Sequence, residues 1–348
     1  MKYSCIVVLA LFLFSCKEKI TNQKDTFKKS ELLTQLADNY ILPEYQNLQR
    51  NVNDLVLTWN SFDNQPSRVQ YDSLKKQWER AYVRFQYVKM FDFGPGMNQN
   101  LAMSLGTFPT DTLMIENNIK NDLSVISNYH EIGFPALDYL FFSSNAYEKI
   151  VSSLFRKKYV GKLLSKMKLE VDKTVEEWKS YRSTFIDGSS NSSTSPFSLF
   201  VNSYIQDYEV LKWTKLGYPL GKNNGNVINP HKLEARNSGI GKVLLQANLI
   251  ALQRIYLGKG SNGIDGKGMF HYLLELGKTS TASTIEANWD QLNKNSKELN
   301  SNLENALKHE TQQMKELFEA IQSNTINLKT EMVGAFGVLI SISDNDGD

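Results

Sequence analysis

Along most of this chain the apolar residues recur at steps of three and four, the spacing that places side chains on one face of an α-helix. Leu74, Trp78, Ala81, Tyr82, Phe85 and Val88 mark one such face and predict a helix from about Arg68 to Phe91. A second stripe runs through Ile150, Leu154, Leu163, Met167, Val171, Val175 and Trp178. A third runs through Met314, Leu317, Ile321, Leu328, Met332, Ala335 and Leu339. Period-two alternation rich in β-branched residues is missing over any useful length, which argues against a substantial sheet. The expected fold class is all-α.

The first residues follow a different pattern. Lys2 precedes an apolar run from Cys5 to Phe14, and Ser15-Cys16-Lys17-Glu18-Lys19 then turns polar. The run is shorter than the roughly 20 residues a membrane-spanning helix needs, so it reads as an export signal. Leu13-Phe14-Ser15 before Cys16 resembles a bacterial lipobox. On that reading residues 1-15 are removed and Cys16 carries a diacylglycerol, whose chains hold the protein to a membrane. Residues 16-29 are then a tether. The expected location is the bacterial cell envelope, lipid-anchored, at the outer membrane on its periplasmic face or at the cell surface. An ordinary secretory signal ending near Cys16 is the alternative.

A second polar stretch, Asp187-Gly-Ser-Ser-Asn-Ser-Ser-Thr-Ser-Pro196, has linker composition. It divides the rest into an N-terminal helical bundle, 30-186, and a C-terminal one, 197-348, each long enough for its own core. Two further loop-rich stretches, Phe93 to Asp111 and Leu220 to Asn229, are long for a compact helical domain, and such loops tend to be functional.

Composition narrows the function. The 348 residues carry 39 Lys+Arg against 37 Asp+Glu, with 41% hydrophobic residues. That balance excludes a disordered chain, a collagen-like repeat and a nucleic-acid binder driven by overall charge. Two cysteines exclude a disulfide framework and a thiolate-rich zinc site. The His-Glu-x-x-His string of helical zinc proteases is missing. His231 and Glu234 at i,i+3, and His271 and Glu275 at i,i+4, read as solvated or capping polar residues, with a shared metal-facing side as the sharper alternative. Gly258-Lys-Gly-Ser-Asn-Gly263 has dinucleotide-loop spacing but follows a helical segment, so it reads as a helix connection. Asp344-Asn-Asp-Gly-Asp348 resembles half a calcium loop and lacks the closing Glu. No Gly-x-Ser-x-Gly elbow occurs. Phe91, Phe93, Phe108 and Tyr218, in or beside the long loops, are either core or the lining of a ligand cleft.

Ile132-Gly-Phe-Pro-Ala-Leu-Asp-Tyr-Leu140 resembles the signature segment of the imelysin-like proteins. Trp78 through Phe91-Asp-Phe-Gly-Pro95, Phe108-Pro-Thr-Asp111, Glu234-Ala-Arg-Asn-Ser238 through Asn248-Leu, and the ending from Leu328 are similar to further blocks in the same order. The resemblance implies two tandem helical bundles with a cleft between them, in envelope proteins classed with the M75-type metallopeptidases and linked to iron uptake. It also implies cleft residues: Asp111, Pro135, Asp138, Glu234, Arg236 and Ser238. The family's Gly-x-His-x-x-Glu would offer a helical His and Glu to a metal, iron or zinc. Here Pro135 stands at the His position, Asp138 at the Glu position, and Lys89 near where the metal-binding branch has a carboxylate. The chain resembles the lipoprotein branch with Gly-x-Pro-Ala-x-Asp. Asp138 either serves the cleft or favours the positive end of its helix. Arg236 either clamps an anionic ligand or closes a salt bridge at a bundle end. The expected function is non-catalytic binding of an iron species or anionic ligand. The alternatives are a metal-dependent peptidase and a structural lipoprotein that binds another envelope protein.

Overall fold

In a computed structural model the chain is described at residues 28–122 and 128–340. Cys16, the signal, nearly all of the tether and Asp344–Asp348 lie outside those residues. Helices account for the architecture, and no strand occurs among the described residues.

The first half consists of α1 (Lys29–Leu36), α2 (Leu42–Asn64), α3 (Arg68–Phe85), α4 (Leu101–Gly106), α5 (Thr112–Lys120), α6 (Gly133–Phe142) and α7 (Leu154–Asp187). The second half adds α8 (Pro196–Leu211), α9 (Gly241–Leu257), α10 (Thr279–Glu298) and α11 (Thr311–Thr325), with short helices at Met269–Glu275 and Leu303–His309. Boundaries follow local chemistry. Ser67, Ser153 and Ser195 each accept a backbone N–H at the start of α3, α7 and α8, and Pro196 begins α8 where its missing N–H costs nothing.

The stripe in α3 is buried throughout. The helix stops at Phe85, however, and Gln86 to Met90 form a turn, so it ends earlier than the spacing predicts. The second stripe is broken at Ser153 between a short helix, Ala146–Ser152, and α7. Leu154 is left 66% exposed, while Leu163 to Trp178 are buried. The third passes from α11 through a π-helical segment, Ile326–Met332, into Val333–Phe336, and ends before Leu339, which is 72% exposed. The apolar period ran through these breaks because a shared buried surface, rather than one continuous helix, sets it.

Asp187–Pro196 is a pinned turn rather than a slack linker. Phe197 N–H donates to the Gly188 carbonyl at 3.0 Å, Asn191 Nδ2 to the Phe336 carbonyl at 3.0 Å, and Lys29 Nζ to Asn191 Oδ1 at 2.7 Å. Buried apolar residues form a continuous cluster from Leu32 to Val338 across it. Tyr40 of the first half donates its hydroxyl to the Ala251 carbonyl of the second.

Gly133, at the start of α6, has φ +78, and a Cβ there would lie 2.5 Å from the Leu105 carbonyl oxygen. We expect Gly133→Ala to destabilise the fold by about 2–3 kcal/mol, from backbone strain plus overlap with α4. A thermal melt checks this: an unchanged midpoint would mean that α4 and α6 separate freely.

Candidate functional site

A cavity of about 150 Å3 lies where the halves meet. Phe85, Lys89, Met90 and Asp92, from the end of α3 and the turn after it, form one wall. Ser203, Asp207 and Val210 of α8, with Lys215 and Glu234, form the opposite one.

Two ion pairs lie at this junction, one across the halves and one within the second half. The Lys89 ammonium donates to Asp207 Oδ1, and Asn248 of α9 donates to the other oxygen, Oδ2, at 2.7 Å. Lys215 donates to Glu234 Oε2 and to Gln86 Oε1 at 3.0 Å. Tyr82 completes the Glu234 carboxylate by donating its hydroxyl to Oε1 at 2.5 Å. Lys215 is 3% exposed and Asp207 6%, so each charge depends on its partner to remain ionised. Burial alone would raise the Glu234 carboxyl; Lys215, helped by Tyr82 and Lys89, outweighs it and holds the group below the usual carboxylate range. Burial also draws the Lys215 ammonium below its ordinary value, with Glu234 opposing. Lys215 reaches the cavity from a π-helical segment, Lys212–Gly217, that continues α8. Such segments re-aim side chains relative to the preceding helix.

A second cross-half contact aims Glu234. Asp138 of α6 accepts the backbone N–H groups of Asn237, at 3.1 Å, and Ser238, at 3.0 Å, and the Asn237 side-chain amide at 2.9 Å. The turn it grips begins at Glu234 and passes through Ala235 at φ +51, a left-handed conformation that a non-glycine residue holds only when its surroundings enforce it. Burial pushes the Asp138 carboxyl up, against the pull of those donors.

An imelysin family model (peptidase M75) matches residues 41–330. The chain belongs to the imelysin family. Two solved structures share its fold. One is an imelysin-like protein from Psychrobacter arcticum 273-4, at TM-score 0.73 and 16% identity, covering 91% of this chain and 98% of that one. The other, from Parabacteroides distasonis ATCC 8503, carries the provisional name iron-regulated protein A precursor; it gives TM-score 0.72 and 13% identity over 89% of this chain and 94% of that one. No curated protein matches the chain.

Of the cleft residues that the imelysin resemblance implies, Glu234 lines the cavity, and Asp138 and Ser238 form the clamp behind it. Pro135 is buried in the first turn of α6, where its missing N–H has no intrahelical partner to lose. Asp138 is too far along α6 to serve its N-terminus and points across to the other half. Asp111 caps α5, accepting the Met114 N–H at 2.9 Å. Arg236 forks the carboxylate of Glu304 at 3.0 and 3.2 Å and donates to His231 Nδ1 at 3.1 Å; it thus forms the bundle-end salt bridge, away from the cavity lining. His231 sits in a short 3₁₀ turn and shares no helical face with Glu234. His271 Nδ1 accepts the Gly268 N–H, a capping role. Phe108 lines the cavity, Phe91 and Phe93 pack on Trp178 in the core, and the Tyr218 ring lies tilted beside Trp213. Gly258–Gly263 forms the turn after α9, with Gly258 at φ +71. Among the described residues no three His, Cys, Asp or Glu side chains converge as a metal-ligand group, and no helix is long and apolar enough to cross a membrane.

The residues not foreseen as site members are Asp207 and Lys215, with Lys89 noted only for its unexpected charge. A signal for them existed. Tyr204, Asp207, Leu211 and Lys215 fall at steps of three and four on an apolar stripe, so two charges occupy positions destined for burial.

Proposed function

We propose that this chain is a bacterial cell-envelope binding protein, lipid-anchored through Cys16, that holds a small ligand in the cavity between its halves and hydrolyses no peptide. One observation carries the reading: two of the three cavity carboxylates, Asp207 and Glu234, are each held by a lysine ammonium. A hydrolytic metal needs ligands free to bind it and an open position for water. With Asp207 and Glu234 engaged, the cavity offers no set of free ligands that would complete a metal site, and Pro135 brings no imidazole. The provisional name of the Parabacteroides distasonis protein, iron-regulated protein A precursor, supports an iron-related role for this chain, and the ionic walls favour an organic ligand over a bare ion.

Elemental analysis and native mass spectrometry of protein taken from its host test the reading. The expected result is substoichiometric iron and zinc and no hydrolysis of unfolded peptides with either metal added. Stoichiometric metal, with peptide hydrolysis that Glu234→Gln abolishes, would overturn it. The anchor has a separate test: the membrane-extracted chain should weigh more than unmodified residues 16–348 by a diacylglycerol, with or without a further acyl chain. The bare mass would refute lipidation.

A further inference from the structure

Resting on the reading of the cavity as a ligand site, we propose that the ligand presents a primary ammonium group on a short apolar chain, and that Asp92 receives it. Three carboxylates line the cavity, those of Asp92, Asp207 and Glu234, against two ammoniums, those of Lys89 and Lys215. Both ammoniums are engaged by Asp207 and Glu234. Asp92 is partly buried and, among the described residues, has neither a hydrogen bond nor an ion pair. Its position is firmly set, because Phe91 and Phe93 on either side are packed against Trp178 at ring separations of 6.3 and 5.7 Å. Over the lining the carboxylates exceed the ammoniums by one; burial pushes the Asp92 carboxyl up, Asp207 adds to the effect and Lys89 opposes it.

The remaining lining sets the shape of the occupant. Phe85, Met90, Ala102, Phe108 and Val210 make most of the wall apolar, and Gln206 adds a carboxamide. A cavity of about 150 Å3 is the size that admits benzene, which limits the buried part of the ligand to about five to eight non-hydrogen atoms. An ammonium has three donors to place, a need that Asp92 and Gln206 can meet. A magnesium or calcium ion needs six or more oxygens, and Asp92 brings two while the other carboxylates are held by lysines. Aromatic rings in the lining also suit a cation.

The test is calorimetry of the detergent-solubilised full chain with n-butylammonium, n-butanol and butyrate at neutral pH. n-Butylammonium is expected to bind at least ten-fold more tightly than the other two. Asp92→Asn should bring it to the level of butanol, and Ala102→Trp, which fills the cavity, should abolish all binding. If butanol or butyrate binds as tightly as the ammonium, and Ala102→Trp blocks it, the ligand-site reading stands and the ammonium inference falls. If none of the three binds, both fall. The selectivity is measured on the unaltered chain, so it decides the matter even where a variant fails to fold; a folded Asp92→Asn that keeps the preference also refutes the inference.

Discussion

Lys215→Met is expected to lower the unfolding free energy by about 3–5 kcal/mol, because it leaves a buried carboxylate without its counter-charge. Methionine roughly matches the apolar stem in volume, so a lost cavity or overpacking contributes little. What goes is the ammonium that holds Glu234 and Gln86. Denaturant unfolding measures the loss, and Lys215→Met with Glu234→Met should recover at least half of it, since replacing both members of a buried pair removes the charge and its penalty together. A single variant as stable as the parent would show that water reaches Glu234. The pH dependence gives an independent reading. The Glu234 carboxyl ionises more readily in the folded chain than at its ordinary value of 4.5, despite burial, because of Lys215. Its contribution to stability is thus complete above 4.5 and is lost as pH falls through the lower folded-state value. In Lys215→Met burial acts unopposed by that lysine, so stability below 4.5 should fall less steeply with acid.

Asp138→Ala is expected to cost about 3 kcal/mol, from a charged acceptor serving two backbone N–H groups and an amide. Asp138→Asn should recover little, since its NH2 would face an N–H donor. The consequence reaches the cavity: with the turn released, Ala235 has no reason to stay left-handed and Glu234 loses its aim. The discriminating measurement is hydrogen exchange at Asn237 and Ser238, which should quicken by at least ten-fold in a variant that remains folded. Exchange at the parent rate would mean that the turn holds its shape without the carboxylate.

These two sites differ in how far the chain announced them. Asp138 and Glu234 stood out through resemblance to imelysin blocks. Their roles, however, depend on a partner about a hundred residues away. Nothing local tells Asp138 that its partner is the Asn237–Ser238 turn rather than the start of its own helix. Arg236 shows the converse: its fork geometry suited an anion, and the anion it meets is Glu304 of the same chain. Lys89 and Lys215 were harder to foresee because lysine is ordinarily exposed, and a π-helical segment shifts the phase that would have placed Lys215.

Periodicity alone dictated an all-helical chain, since burying a stripe at steps of three and four requires that backbone wherever it occurs, and the serines that cap α3, α7 and α8 act within the same first turns. These are local effects, complete within one or two turns. The pairing of Lys89 with Asp207, the contacts of Tyr82 and Gln86 with the Glu234–Lys215 pair, the grip of Asp138 on a turn of the other half, and the cavity beside the unpaired Asp92 came only with the packing of the two halves. Desolvation and ion pairing act between groups brought together from distant positions, and no segment carries that information by itself.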